Sequence, residues 1–132
     1  MSTPTITEFL EARISEDEAL AEAASVSMHG QHHAESWDYA SYVLGSERDA
    51  TEAQDRFITE WWPSRVLAEC AAKRAVVTSY RSCVGAEGRV EVTKEFEVKL
   101  VAGGMVKGLE LAVKHLAAVY SSHEDYDSGW AL

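Results

Sequence analysis

Hydrophobic residues recur at helical spacing near the start of the chain. Between Thr5 and Ala24 they fall on one helix face at about 100° per residue, and they are Ile6, Phe9, Leu10, Ile14, Leu20, Ala21 and Ala24. Thr5 and Glu8 have the spacing of a capping box, which predicts where this helix begins. Two charged residues, Arg13 and Asp17, fall inside the apolar face.

A central helix is predicted from Pro63 to about Cys83. Proline favours the first helical turn, and about five turns of good helix formers follow it. The expected apolar face consists of Pro63, Val66, Leu67, Cys70, Val77 and Tyr80. Arg74 lies within this face, and the glycines at Gly85 and Gly88 predict a turn after the helix.

Two further helices complete the helical pattern. A short one is predicted from Thr51 to about Trp62, because the residue before a proline avoids the helical conformation. A long one is predicted after the glycine pair at 103–104, with a face made of Met105, Leu109, Ala112, Val113, Leu116 and Tyr120. In the tail beyond it, Tyr126 and Trp130 are spaced to fold back on the bundle.

Two segments have the features of β-strands instead. Val90–Leu100 alternates apolar with charged or polar residues, and Trp37–Leu44 is rich in aromatic residues. Because a strand needs a partner, we expect these segments to pair with each other, or Val90–Leu100 to pair with another subunit. The predicted fold is therefore mainly α. It is a single domain over residues 1–132, a small helical bundle of about four helices with a minor antiparallel β element.

Composition narrows the function classes. A chain of 132 residues can bury one core, and its 46% hydrophobic residues include no long apolar run, so no membrane span is predicted. The first residues lack the pattern of a secretory signal. A formal net charge of −10 argues against direct nucleic-acid binding and permits a basic protein partner. An acidic nucleic-acid mimic is an alternative hypothesis that rests on this charge alone.

The two cysteines indicate a reducing compartment. Cys70 and Cys83 both fall on the predicted central helix, about 20 Å apart along its axis at 1.5 Å per residue. A disulfide needs Cα atoms within about 7 Å of each other, so these two cannot pair on one helix. Reduced thiols predict a cytoplasmic protein.

Four charged residues are candidates for a polar clamp between helices: Arg13, Asp17, Arg74 and Asp125. A buried charge without a partner costs several kcal/mol, so charges on apolar helix faces should find each other. We expect Arg74 to pair with Asp17, with Asp125 joining from the tail. The alternative is an anion or substrate site built on Arg74, because a guanidinium also binds carboxylate or phosphate.

The histidine run His29, His32 and His33 has the composition of a metal site. Zinc needs three or four ligands, usually from two anchored elements, whereas this run lies in a predicted loop without a cysteine pair. We predict no cofactor and keep a metal-dependent enzyme or metal-binding protein as an alternative hypothesis. No catalytic residue is predicted, since neither cysteine has an evident histidine base and the glycine pair lacks phosphate-loop spacing.

Aromatic residues suggest a partner-binding surface. Adjacent tryptophans at Trp61 and Trp62 cannot both face one core from a helix, and tryptophan is enriched in binding hot spots. We expect Trp62, Trp61 and the segment around Phe96 to contact a protein partner or a second copy in a homodimer. The alternative is that Trp62 covers the junction of two helices.

Three segments carry a distinctive combination of residues. They are Phe9-Leu10-Glu11-Ala12-Arg13-Ile14 with Glu16-Asp17-Glu18, Pro63-Ser64-Arg65-Val66-Leu67 with Lys73-Arg74, and Tyr120 with His123, Asp125-Tyr126 and Trp130. Together they resemble a family of small actinobacterial and actinophage proteins classed as a domain of unknown function. The chain departs from it at Trp61-Trp62, where the family has His-Asp, and at Glu124, where it has proline. The resemblance implies a cytoplasmic protein of phage or host origin and no particular activity.

Overall fold

The computed structural model of the chain describes residues 2–25, 61–90 and 96–132, together with residues 53, 57 and 60. Within this part of the chain there are three α-helices and a short 3-10 helix. They are α1 (Ile6–Ala24), α2 (Pro63–Val90), α3 (Phe96–Ala118) and the 3-10 helix Ser128–Trp130. The described residues include no strand. The prediction of a mainly α fold is confirmed.

The chain divides into two compact units. The first unit contains Met1–Ile14 and Ala72–Leu132, and the second contains Ser15–Ala71. The prediction of a single domain over residues 1–132 stays a prediction. No helix within the described residues is long and apolar enough to cross a membrane.

The start of α1 is fixed by the capping box that the sequence predicts. The backbone N–H of Thr5 donates to Glu8 Oε2 at 2.8 Å, and the backbone N–H of Glu8 donates to Thr5 Oγ1 at 3.3 Å. These bonds satisfy two N–H groups that have no partner inside the helix. The Thr5 hydroxyl also donates to Glu8 Oε2 at 2.8 Å. The helix begins at Ile6 and ends at Ala24, so both of its ends lie where the sequence predicts them.

The buried side of α1 follows the predicted apolar face with one exception. Phe9, Leu10, Ile14 and Ala21 are buried, but Leu20 is 72% exposed. The expectation that Leu20 packs in the core is wrong. Leu20 instead lines an open groove in the second unit, so its position on the helix face does not by itself give it a packing partner.

The buried stripe of α2 repeats every seven residues. Pro63, Cys70 and Val77 are buried, and the other residues of the predicted face are half-buried. Seven residues make nearly two full turns, so these side chains lie above one another on one side of the helix.

The predicted turn at Gly85 and Gly88 is wrong, because α2 continues through both glycines to Val90. A Cβ atom built on either glycine would meet nothing within 4 Å, so both face open space. Between them, Ala86 and Glu87 are half-buried. Glycine costs a helix about 1 kcal/mol relative to alanine, a penalty that a 28-residue helix with a buried stripe tolerates.

The predicted strand Val90–Leu100 is also wrong where the chain is described. Val90 ends α2, and α3 begins at Phe96. The alternation of Phe96, Val98 and Leu100 has period two, but the residues after Leu100 continue as one helix through the glycine pair to Ala118. A helix satisfies its own backbone hydrogen bonds, whereas a strand depends on a partner strand.

The core-facing side of α3 agrees with the prediction at Val113 and differs from it at Val106 and Ala117, each one residue after a predicted position. Its buried residues are Val106, Val113 and Ala117, whereas Met105 is 54% exposed. Leu109, which was predicted on the same face, is half-buried. The helix therefore turns Val106 rather than Met105 toward the core.

Two predicted elements fall mostly outside the described residues. The short helix from Thr51 to Trp62 is not seen among the elements above, since only residues 53, 57 and 60–62 of it are described. The predicted strand Trp37–Leu44 lies wholly outside them.

Replacing Thr5 with alanine should lower the free energy of unfolding by about 1 kcal/mol, because it removes the hydroxyl of the capping box. Urea unfolding followed by circular dichroism measures this change. Thr3→Ala is the matched control, because Thr3 is exposed at the same end of the chain. An equal loss in both variants would show that the capping box contributes nothing specific.

The effect of Thr5→Ala should also depend on pH. Hydrogen bonds from the Thr5 backbone and side chain hold the pKa of Glu8 below its ordinary value of 4.5. The stability that this carboxylate adds is present above pH 4.5 and is lost as the pH falls through the lowered pKa. The difference between wild type and Thr5→Ala should therefore shrink in acid, and a constant difference would contradict this.

Candidate functional site

The ring of Phe9 lies at the centre of an aromatic cluster that joins α1 to the C-terminal tail. Phe9 is 2% exposed. Its ring centroid lies 5.1 Å from that of Trp130, 6.0 Å from that of Tyr126 and 6.3 Å from that of Tyr120. Tyr126 and Trp130 also meet edge to face at 5.6 Å. The prediction that the tail folds back through these two residues is confirmed.

Consecutive turns after α3 bring the tail into this position. The backbone N–H of His123 donates to Tyr120 O at 2.9 Å, and that of Tyr126 donates to His123 O at 3.0 Å. Asp127 then caps the 3-10 helix by accepting a hydrogen bond from the backbone N–H of Gly129 at 2.8 Å. Each turn uses local hydrogen bonds, so the tail aromatic residues are oriented by their own segment.

Arg13 is the buried charge of this cluster, with 7% of its surface exposed. Its Nη1 atom donates to the ring of His123, 2.7 Å from Nδ1, and also contacts Nε2. The same Nη1 lies 3.7 Å from Asp125 Oδ2, and the guanidinium carbon lies 5.4 Å from the centroid of the Phe9 ring. The backbone N–H of Asp125 donates to His123 Nδ1 at 3.1 Å.

The Arg13 cluster positions the tail and leaves little of the guanidinium open to a ligand. The contacts described above join Arg13 to residues of its own unit, and burial separates the charge from solvent. A buried guanidinium is stabilised by the acceptors around it, here an imidazole, a carboxylate and an aromatic face. The arrangement is therefore an anchor between α1 and the tail.

Two polar contacts connect α2 to the rest of the first unit. Lys73 Nζ donates to the Tyr120 hydroxyl at 3.0 Å. Arg81 forms a two-pronged pair with Glu11 of α1 at 2.5 and 3.1 Å. The Arg81 and Glu11 side chains are 48% and 38% exposed, so solvent screens the pair and it is worth at most about 1 kcal/mol.

Of the four residues in the predicted polar clamp, two are in contact in the described structure. The structure brings Arg13 and Asp125 together. Asp17 belongs to the second unit and Arg74 to the first, so their pairing stays a prediction. The sequence did not point to His123 as the hydrogen-bonding partner of Arg13, although the fold-back pattern of the tail was a signal that His123 would approach α1.

Trp61 is the surface residue of the adjacent tryptophans. It is 42% exposed, whereas Trp62 is half-buried. The Trp61 ring lies 5.8 Å from that of Phe57 and 4.5 Å from the guanidinium carbon of Arg65. Glu69 holds Arg65 in place with a hydrogen bond of 3.2 Å. A cation on its ring fixes the orientation of Trp61.

A shallow groove of about 180 Å³ lies beside Trp61 in the second unit. Its lining combines the second half of α1 with the start of α2, and consists of Asp17, Leu20, Ala21, Ala24, Trp61, Pro63 and Val66. The exposed Leu20 and Trp61 side chains give the groove apolar walls. The partner-binding role predicted for Trp61 and Trp62 stays a prediction.

The N-terminal part of α3 exposes apolar side chains on every side. Residues 96–101 are all exposed, and four of these six are large and apolar. The exposed fractions are 77% for Phe96, 42% for Val98, 66% for Leu100 and 64% for Val101, with 54% for Met105 one turn later. We call these five residues the α3 apolar surface. A groove of about 330 Å³ runs along it, lined by Glu97, Val98, Val101, Ala102 and Met105.

Three charged residues in the middle of α3 form a separate cluster. Glu110 accepts a hydrogen bond from Lys107 at 3.1 Å and lies 3.4 Å from Lys114 Nζ. The hydrogen bond from Lys107 and the two lysine charges hold the pKa of Glu110 below its ordinary value. These three charges interact with each other on a side of α3 away from Val101 and Met105, and Glu97 is the charged residue in the lining of the groove.

The metal hypothesis remains a prediction. Within residues 2–25, 61–90 and 96–132, no group of three or more His, Cys, Asp or Glu side chains is placed to hold a metal ion. His29, His32 and His33 lie outside the described residues.

Replacing Trp130 with alanine should lower the free energy of unfolding by about 2 kcal/mol, because the Phe9 ring loses its nearest aromatic neighbour. Trp130 is half-buried, so the loss should be smaller than for a fully buried tryptophan. Urea unfolding followed by far-UV circular dichroism measures it. Leu132→Ala is the control, because Leu132 is 64% exposed. Equal stability of the two variants would contradict the anchoring role of the tail.

His123→Ala should destabilise the chain more than Asp125→Ala does. Removing the imidazole takes away the nearest acceptor of buried Arg13 and a ring 5.8 Å from that of Phe9, a loss of about 2 kcal/mol. Removing the 56% exposed carboxylate should cost less than about 1 kcal/mol. Thermal unfolding of both variants tests this order, and the reverse order would show that the ion pair dominates.

Comparison with known proteins gives a family and no activity. Residues 3–132 of the chain match the model of a protein family described as "Family of unknown function (DUF6221)". Neither a curated protein nor a solved structure matches it. Because the match spans nearly the whole sequence, the chain belongs to DUF6221, a family of unknown function.

Proposed function

We propose that this protein is a small non-enzymatic accessory protein that binds a protein partner or a second copy of itself. The α3 apolar surface is its contact surface. A cytoplasmic location and an origin in an actinobacterium or its phage belong to the same proposal, on the strength of the resemblance in its three sequence segments.

One observation carries this proposal. The first two turns of α3 are exposed on every side, yet most of their residues are apolar. Helices that are apolar all round are normally buried, and a contiguous exposed apolar patch is typical of an interaction site. Phe96 and Leu100 lie on one side of this segment and Val98 and Val101 on the other, so a partner could contact it from either side.

The surroundings of the α3 apolar surface also favour a protein partner. A groove of about 330 Å³ with apolar walls suits side chains inserted from another helix. The net charge of −10 attracts a basic partner at long range, whereas two copies of this chain repel each other and must pair through a mainly apolar contact such as the α3 apolar surface. The Trp61 groove in the second unit is a further candidate contact for such a partner.

The double variant Val101→Glu/Met105→Glu should lose partner binding at least about tenfold, because it places two charges on the apolar surface. Binding is measured by affinity capture from lysate with wild type and variant as baits, and by the molar mass of each chain in solution. Ala75→Glu/Thr78→Glu on α2 is the matched control, since both positions are exposed and it adds the same charge.

Circular dichroism must show equal helix content in all three chains. The proposal is contradicted if the α3 variant and the α2 control retain the same proteins and the same molar mass as wild type.

A further inference from the structure

We propose that α3 pairs antiparallel with α3 of a second copy of this chain. This inference rests on the proposed function and names its partner. The contact is a seam made of Val98, Val101, Met105, Gly108 and Ala112, which we call the α3 seam. Its residues alternate spacings of three and four, the pattern by which two helices pack along one side.

The α3 seam and the core-facing side of α3 are different sides of the helix. The core side carries Val106, Val113 and Ala117. Val106 follows Met105 by one residue and is therefore rotated from it by about 100°. Met105 is 54% exposed and Val101 64% exposed, so these two seam residues lie outside the core that the described residues form.

The glycines of α3 support a close approach by another helix. A Cβ atom built on Gly104 or Gly108 would meet nothing within 4 Å. Gly103 differs, because its Cβ atom would lie 3.5 Å from Glu87 Oε1 of α2. Apart from proline, glycine is the least favourable residue in a helix, and no packing neighbour among the described residues requires glycine at position 104 or 108. A second helix that crosses at Gly108 supplies one.

An antiparallel register makes the seam complementary to itself. If Met105 faces Gly108 of the second copy, then Val101 faces Ala112 and Val98 faces His115 of that copy. Each larger side chain then lies opposite a smaller one or a polar edge residue. The pairing is isologous, so the same contacts occur twice and the assembly closes as a dimer.

Charge favours the antiparallel orientation over the parallel one. Glu97 and His115 share one edge of the seam, at opposite ends. Antiparallel pairing brings Glu97 close to His115 of the second copy, whereas parallel pairing in register would place the two Glu97 carboxylates side by side. The remaining charges near the seam, Lys107, Glu110 and Lys114, interact with each other on another side of α3.

The size of the seam sets the expected strength. From Val98 to His115, the residue that Val98 faces in the second copy, the contact spans about 26 Å at 1.5 Å per residue. One helix on another over this length buries less than the roughly 800 Å² per partner of a standard interface. The dimer should therefore be weak, with a dissociation constant of about 10–100 µM, and the chain should be monomeric at nanomolar concentration.

Sedimentation equilibrium over a range of concentrations tests the assembly. The wild-type chain should pass from the mass of one chain, 14.5 kDa, to twice that mass as concentration rises through the micromolar range. Met105→Glu should raise the dissociation constant of the dimer at least about tenfold, because it places a charge in the seam. Gly108→Leu should also weaken pairing, because the leucine side chain fills the space that Met105 of the second copy enters. Thr78→Glu on α2 should leave the dissociation constant of the dimer unchanged.

Engineered disulfides test the register. Val101→Cys/Ala112→Cys should form a covalent dimer under mild oxidation, because antiparallel pairing faces these positions toward each other. Val98→Cys alone should not, because in the antiparallel pair the two copies of residue 98 lie about 26 Å apart along the seam, and only a parallel pair in register would bring them together. Wild type keeps Cys70 and Cys83 and is the control for crosslinking through native thiols. Crosslinking of Val98→Cys but not of the double variant overturns the antiparallel register.

The failure of this inference can be distinguished from failure of the proposed function. If the wild-type chain stays monomeric up to about 1 mM, well above the expected dissociation constant, then a second copy is not the partner. If its Val101→Glu/Met105→Glu variant still loses a captured protein, the proposed function stands with a different partner. A dimer that persists in Met105→Glu with wild-type helix content overturns the α3 seam as the interface.

Discussion

The docking of the C-terminal tail on Phe9 is the interaction on which the first unit depends. One buried ring contacts the rings of Tyr120, Tyr126 and Trp130 and the imidazole of His123. These residues follow α3, so their contacts with Phe9 connect that helix to α1. Without the tail, the apolar ring of Phe9 would be exposed to water and the Arg13 charge would lose the groups that stabilise it.

The tail anchor and the α3 apolar surface divide α3 into two parts. Its C-terminal part buries Val113 and Ala117 and runs into the anchored tail. Its N-terminal part shows six exposed residues in succession. The helix is thus held firmly at one end while the other end presents apolar side chains to solvent. This segment is helical before it meets a partner, so no helix has to form on binding.

The sequence predicted the helix starts that depend on interactions between neighbouring residues. The Thr5–Glu8 capping box and Pro63 marked two helix starts, because caps and proline act on their immediate neighbours. The strand predicted up to Leu100 failed because period two over a few residues does not outweigh a longer helical pattern. His123 was not predicted as the partner of Arg13, since their contact joins residues 110 positions apart. Which apolar face stays exposed likewise depends on tertiary packing.

The two glycines near the C-terminal end of α2 make that end of the helix locally less stable than its middle. Val77 is buried, whereas Gly85 and Gly88 contribute no side chain and face empty space. Local unfolding is cheapest where few apolar contacts must be broken. Backbone amides should therefore exchange with solvent deuterium faster toward Val90 than around Val77, so that α2 frays from its glycine-containing end.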